Sequence, residues 1–284
     1  MSIKIRHLFD TDLESAETIL RTAFQRSQGW KTDLLLYRSI QPNGYFLAEQ
    51  DGIPVGMVGA VIYSAYAYVG LMAVRPECQR RGIGIALMEY LLTWLDRQQV
   101  PLVLLDASPA GQPLYEQLGF VAYDAVVIFQ RDETLSSPFT YPPRVSPLTL
   151  PSLDRIAVSD AKAFGTDRSR VLHFLLEAYP GRAFQSLDGN GQDINGYLFA
   201  QQNRIGPWVM QDGDAAEVLL QAALSLPFSG PISVAVPGEN TRAVALLQHY
   251  GFKPGRVNRH MGKGPGMLPG QREQIFAQAS LSLG

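Results

Sequence analysis

The chain has one cysteine, Cys78, so no internal disulfide can form, which suits a reducing compartment. It has no basic surplus. Lys and Arg number 24 against 26 Asp and Glu, a formal charge of -2 that gives no long-range pull toward polyanions and argues against a nucleic acid partner. Low-complexity tracts are absent and 46% of residues are hydrophobic, so a sizeable core can form. No apolar run opens the chain: Lys4, Arg6, Asp10 and Asp12 interrupt the stretch that a secretion signal would need, and a cytoplasmic location is expected. His7, His173, His249 and His260 lack metal-ligand spacing, so no metal is expected. One long segment, between Asp51 and Arg75, carries no charge. It is rich in Val, Tyr, Ile and Gly rather than Leu, and reads as two buried strands joined by a turn near Ser64; no membrane partner is expected.

What is present points to two domains. The 284 residues exceed the roughly 100 to 200 of a usual single domain. Asp132 to Ser152 carries five prolines and many hydroxyl residues, a composition suited neither to a helix interior nor to a central strand. The expected domains are 1–135 and 145–284, with a linker over about 132–150. The two halves also resemble each other. Leu8, Leu13, Ala23 and Phe24 recur as Leu148, Leu153, Ala163 and Phe164, and LYEQLGF (Leu114 to Phe120) recurs as LLQHYGF (Leu246 to Phe252). Two copies of one fold in tandem is the economical reading.

In the first half, IKIRHLF reads as a strand, and Thr11 to Glu14 as a capping box that opens a helix. A helix over Lys31–Ile40 and strands over Tyr45–Gln50, Val55–Tyr63 and Tyr66–Val74 follow. A long helix over Gly82–Arg97, a buried strand PLVLLDAS, a short helix ended by Gly119 and a strand FVAYDAVVIFQ complete it. The order is mixed α/β.

The chemistry lies in VRPECQRRGIGIALMEYLL, Val74 to Leu92. A strand runs into a turn containing Pro76, and Gly82 and Gly84 stand where an apolar-periodic helix begins. Amides at a helix start have no intrahelical acceptors and lie at the positive end of the dipole, so they can hold a phosphate or pyrophosphate. Glycine places no Cβ between that backbone and the anion, and Arg80 and Arg81 add cationic donors. No GK[ST] follows and the glycines read GIGIAL, so this is neither a Walker loop nor a dinucleotide fingerprint.

A strand ending in V-x-P-x-x-Q/R-x-x-G-x-G/A, with LYEQLGF on a short helix further on, resembles the GNAT superfamily of acyl-CoA-dependent acetyltransferases. The resemblance covers residues 3 to 131. It implies tandem domains that each hold a mixed, mostly antiparallel sheet flanked by helices, and acetyl-CoA as co-substrate. It places the pyrophosphate on Gln79, Arg80, Arg81, Gly82, Ile83, Gly84 and Ile85, and the pantetheine arm beside the strand ending at Val74. Strands around Met72 and Leu105 would splay to admit that arm, and backbone N–H groups near Ala73 and Val74 would polarise the thioester carbonyl. Tyr115, in the LYEQLGF block, would protonate the departing thiolate. Many relatives carry a glutamate on the strand before the loop; here Gly70, Leu71, Met72 and Ala73 stand there, so Asp106 is the candidate base. A turn or cap hydrogen bond is the competing role for Asp106, and an already neutral amine would need no base.

The second half has lost these parts. VMQDGDAAEVLL replaces the phosphate loop, with Asp212 and Asp214 flanking its glycine, and Leu247 stands at the Tyr115 position. The expected activity is acetyl transfer by direct attack of an amine, on a small molecule or a peptide, with the first copy catalytic and the second degenerate. The alternative is a non-catalytic acyl-CoA sensor. The loops that would face the acceptor, about Ser27–Lys31 and Ser64–Tyr68, carry no charge signature, and a homodimer is open to the chain.

Overall fold

The computed structural model describes residues 3–25, 30–132, 142–213, 215–238, 240–266 and 268–284. Chain contacts divide it into two units. The first takes Met1–Val121, Met261–Gly266 and Leu283; the second takes Ala122–His260, Met267–Ser282 and Gly284. Of the expected linker, residues 133–141 lie outside the described residues, as do Asp214 and residues 27–29 of the loop expected to face the acceptor.

In the first unit, β1 (Ile3–His7), α1 (Leu13–Phe24), α2 (Trp30–Ile40), β2 (Tyr45–Gln50), β3 (Ile53–Ile62), β4 (Ala67–Val74), α3 (Ile83–Arg97), β5 (Val103–Ala107) and α4 (Gln112–Gln117) follow in order. The strands lie β1-β2-β3-β4-β5, antiparallel except for the parallel β4–β5 pair. The uncharged segment is β3 and β4, closed at its turn by Tyr63 N–H on Tyr66 O at 2.8 Å. Among the described residues no helix is long and apolar enough to cross a membrane. Leu87, Met88, Leu91 and Leu95, at helical spacing on α3, pack with Phe46, Val58, Val69 and Leu105 of the sheet. Each such burial contributes on the order of 1.5 to 3 kcal/mol. Met261, from the far end of the sequence, belongs to this same core.

The second unit holds β6 (Val121–Arg131), β7 (Val145–Pro147), α5 (Leu150–Phe164), α6 (Ser169–Ala178), β8 (Ala183–Leu187), β9 (Ile194–Ala200), β10 (Arg204–Met210), α7 (Ala216–Leu224), β11 (Ile232–Pro237), α8 (Thr241–His249), most of β12 (Lys253–Lys263) and β13 (Ile275–Ala277). Its strand order is β6-β11-β10-β9-β8-β7, with β13 added to β10. Again one internal pair, β10–β11, is parallel. β6, at the end of the first repeat, pairs with β11 from Ile232↔Arg131 to Pro237↔Val126.

The start of α1 differs from the expected capping box. A 3-10 turn over Asp10–Asp12 precedes the helix, and Asp12 rather than Thr11 closes it, accepting Phe9 N–H at 2.9 Å. Arg6 explains the shift: its Nη1 and Nη2 donate to Asp12 at 2.6 and 2.9 Å, and Nη2 also reaches Glu49 at 2.6 Å. A carboxylate with a guanidinium partner outcompetes a hydroxyl for the turn. The hydrogen bond from Arg6 holds the Asp12 carboxyl below the ordinary range, against the opposing effect of burial. A lowered folded-state pKa gives stability above the unfolded-state pKa, lost as pH falls through the folded value. Asp12→Asn should therefore cost most near neutrality, and its deficit in thermal unfolding should shrink as the pH falls below the ordinary carboxylate range. A deficit constant across that range would show that Asp12 acts by shape alone.

Candidate active site

The site begins with an irregularity in β4. Gly59 pairs with Gly70 and Met57 with Ala73, so Val58 alone faces two residues, Leu71 and Met72. This is a β-bulge, and it puts Leu71 at φ 53°, in the left-handed region that a bulky side chain seldom enters. Beyond the bulge, Arg75 N–H donates to Val55 O at 2.9 Å. Alternation then turns Ala73 toward β3 and the amides of Met72 and Val74 to the opposite edge. The Val74 carbonyl follows that pattern, for Gln79 Nε2 donates to it at 3.0 Å. On this opposite edge, the parallel pairing with β5 stops at Val69↔Leu105. The residues from Gly70 to Val74 thus present a strand edge that no described strand covers.

The loop after β4 leads into the start of α3. Arg80 has φ 60° and Gly82 φ 81°, and Gly82 is the N-cap with no side-chain hydrogen bond. The first helical bond is Ala86 N–H to Gly82 O, so the amides of Ile83, Gly84 and Ile85 have no acceptor within the helix. A Cβ on Gly82 would meet nothing within 4 Å, so the space before these amides is open. Arg80 and Arg81 are exposed and form no ion pair among the described residues. Such a donor set fits a diphosphate. Gly84 brings three elements together: a Cβ there would sit 2.8 Å from Leu114 Cδ1 of α4 and 3.1 Å from Met72 Cε of β4.

Tyr115 follows Leu114 on α4. Its ring packs edge-on to Phe120 at 5.8 Å, and burial pushes its phenol well above the usual range. It therefore keeps its proton throughout the working range and can donate but never act as a base. Asp106 stands one residue past the last paired position of β5. Tyr68 Oη donates to its Oδ2 at 2.6 Å. Tyr68 pairs with Leu104, and Leu104 and Asp106 share a face, so the sheet register itself aims this tyrosine. Sequence reading missed Tyr68; its only signal was a third tyrosine in the segment from Tyr63 to Tyr68. Among the described residues, no group of His, Cys, Asp and Glu could hold a metal.

The chain matches the acetyltransferase (GNAT) family model over residues 6–120, and an acetyltransferase (GNAT) domain model over residues 156–277. It belongs to the GNAT acetyltransferases. It is 24% identical to the uncharacterized N-acetyltransferase YitH of Bacillus subtilis, over 85% of this chain and 86% of that protein. It is 25% identical to the holothin acyltransferase of a Pseudoalteromonas species, over 87% of this chain and 83% of that one. A crystal structure from Pyrococcus horikoshii, of a protein assigned as an acetyltransferase, superposes with a TM-score of 0.86 at 26% identity, covering 99% of this chain and 96% of the other. The protein is a tandem GNAT enzyme that transfers an acyl group to an amine.

The second GNAT copy repeats the bulge with different residues. Ile205 pairs with Ala200 and Trp208 with Leu198, so Gly206 and Pro207 stand where Leu71 and Met72 stand in the first copy. Proline has no N–H, so the donor at the Met72 position is gone. The connection from strand to helix shrinks from residues 75–82 to residues 211–215. Within it, Asp212 is engaged by Asn195 Nδ2 at 2.6 Å. Leu247, at the Tyr115 position, is fully buried.

Proposed function

We propose that the first unit transfers acetyl from acetyl-CoA to the amine of a small molecule by direct attack. The observation that carries this reading is the convergence at Gly84 of the bulged free edge of β4, the amide-bearing start of α3 and the helix of Tyr115. The diphosphate lies on the amides of Ile83, Gly84 and Ile85 with Arg80 and Arg81 beside it, and Gln79 ties this loop to Val74. The thioester carbonyl points at the edge amides of Met72 and Val74, which stabilise the oxygen as negative charge develops on it. Asp106, held by Tyr68, takes a proton from the amine as the C–N bond forms. Tyr115 donates a hydrogen bond to the sulfur as the C–S bond breaks, and the thiolate takes up a proton through it, replaced on Tyr115 from solvent as Asp106 releases the amine's proton. The likeness to the holothin acyltransferase along most of both chains favours a small-molecule amine over a peptide.

The test is thiol release from acetyl-CoA with a panel of small amines, followed across pH. Release that depends on the amine supports the reading; tight acetyl-CoA binding with no release for any acceptor would make the unit a sensor instead. Asp106→Asn should lower kcat/KM about a hundredfold. Tyr68→Phe should cost only about three- to tenfold in kcat/KM, the net worth of one ordinary hydrogen bond. An Asp106→Asn enzyme that keeps the native kcat/KM would mean that the amine enters already neutral.

A further inference from the structure

The two units treat the same strand edge in opposite ways. In the first, no described strand covers the edge of β4 beyond Val69. In the second, pairing of β10 with β11 stops at Ile205↔Val234, but β13 takes the edge beyond the bulge, antiparallel, with Trp208 opposite Ala277 and Val209 opposite Ile275. The segment is also fastened to the other side of the split, for Gln278 N–H donates to Ala235 O of β11 at 2.9 Å. Asn240, buried at the head of α8, donates through Nδ2 to Glu273 O at 3.0 Å and Ile275 O at 2.9 Å, while its Oδ1 caps Ala243 N–H at 2.9 Å. Gln201 Nε2 bridges Gly206 O at 2.6 Å and Ala279 O at 2.8 Å. A Cβ on Gly206 would come within 2.0 Å of Gln278 O, so the bulge admits this backbone only because glycine stands there. Phe276 fills the space against Trp208, ring centroids 5.0 Å apart.

We propose that residues 273–278 are a built-in occupant of the second unit's acyl-CoA cleft, a peptide held in the split between β10 and β11 where a pantetheine arm would otherwise pair. The arm is itself a chain with two amides, so a short strand reproduces its hydrogen bonding and its apolar filling with the chain's own backbone. This goes beyond the proposed function, which concerns the first unit. The occupant is fixed in place, and the cleft serves the stability of the unit.

Hydrogen exchange of the full chain, read by mass spectrometry with and without saturating acetyl-CoA, tests this. Peptides over 275–280 should be as protected as those of β10, and acetyl-CoA should leave both unchanged. Exchange of 275–280 at the rate of a free peptide, its acceleration by acetyl-CoA, or added protection over 206–210 would overturn the proposal. Asn240→Ala should speed exchange over 273–278 roughly tenfold through the lost pins. No change in that segment would equally overturn it. Protection over 70–75 on adding acetyl-CoA reports on the first unit separately, so failure of the catalytic reading would leave this result intact.

Discussion

Tyr115→Phe is expected to lower kcat about a hundredfold while leaving acetyl-CoA affinity within about twofold of the native value. The ring is kept, so its edge contact with Phe120 and its place in the core survive, and only the hydroxyl is lost. Burial holds that hydroxyl protonated, so its loss removes a donor that acts where charge appears on sulfur, late in the reaction. Two corollaries separate this role from packing. The ratio of native to variant kcat should stay constant across the accessible pH range, because Tyr115 does not titrate within it. An aryl thioester donor, whose leaving thiolate is stable without a proton, should close most of the gap. An unchanged kcat with acetyl-CoA, or a deficit equally large with the aryl thioester, would remove Tyr115 from the mechanism.

The loop proposed to hold the diphosphate was legible in the sequence because its physics is local. Gly82 and Gly84 at the head of an apolar-periodic helix, with Arg80 and Arg81 before them, describe an anion site whatever surrounds them. The internal repeat was legible for a similar reason, since conserved apolar spacing needs no partner to be seen. The bulge was not. Its signature in the first copy is Leu71 at φ 53°, a residue that no local rule would place there; the conformation is imposed by the paired residues on either side, Gly70 with Gly59 and Ala73 with Met57. Tyr68 stayed hidden because its link to Asp106 depends on the parallel register of β4 and β5. The assignment of β6 to the second unit, of Met261 to the first and of β13 to the edge of β10 are pairings between residues far apart in sequence. Alternation marks such segments as strands but is silent about which neighbour they meet.

The second unit makes a prediction of a different kind, about stability. Asp160→Ala should cost about 3 to 5 kcal/mol, the expected penalty for stranding a buried charge. Arg168 and Asp160 are both almost completely buried, and the guanidinium Nε and Nη2 lie 3.0 and 2.9 Å from the carboxylate. Tyr197 joins the pair, its hydroxyl donating to Asp160 and accepting from Arg168 Nη2 at 3.2 Å. Burial raises the Tyr197 pKa well above its ordinary value, which preserves the proton this arrangement requires. Phe164 packs its face under the guanidinium carbon at 4.0 Å, and Nη1 reaches Gly284 O at 3.3 Å. Removing the Asp160 side chain takes away the carboxylate that receives both Nε and Nη2 of the buried guanidinium. Arg168→Met should be damaging for the mirror reason, yet Asp160→Leu combined with Arg168→Met should recover most of the loss, since an apolar pair of similar volume has no desolvation to offset. Urea unfolding of Asp160→Leu, Arg168→Met and the double variant closes the cycle. A double variant as unstable as the sum of the singles would mean that the pair contributes through shape and packing, with no coupling between its charges.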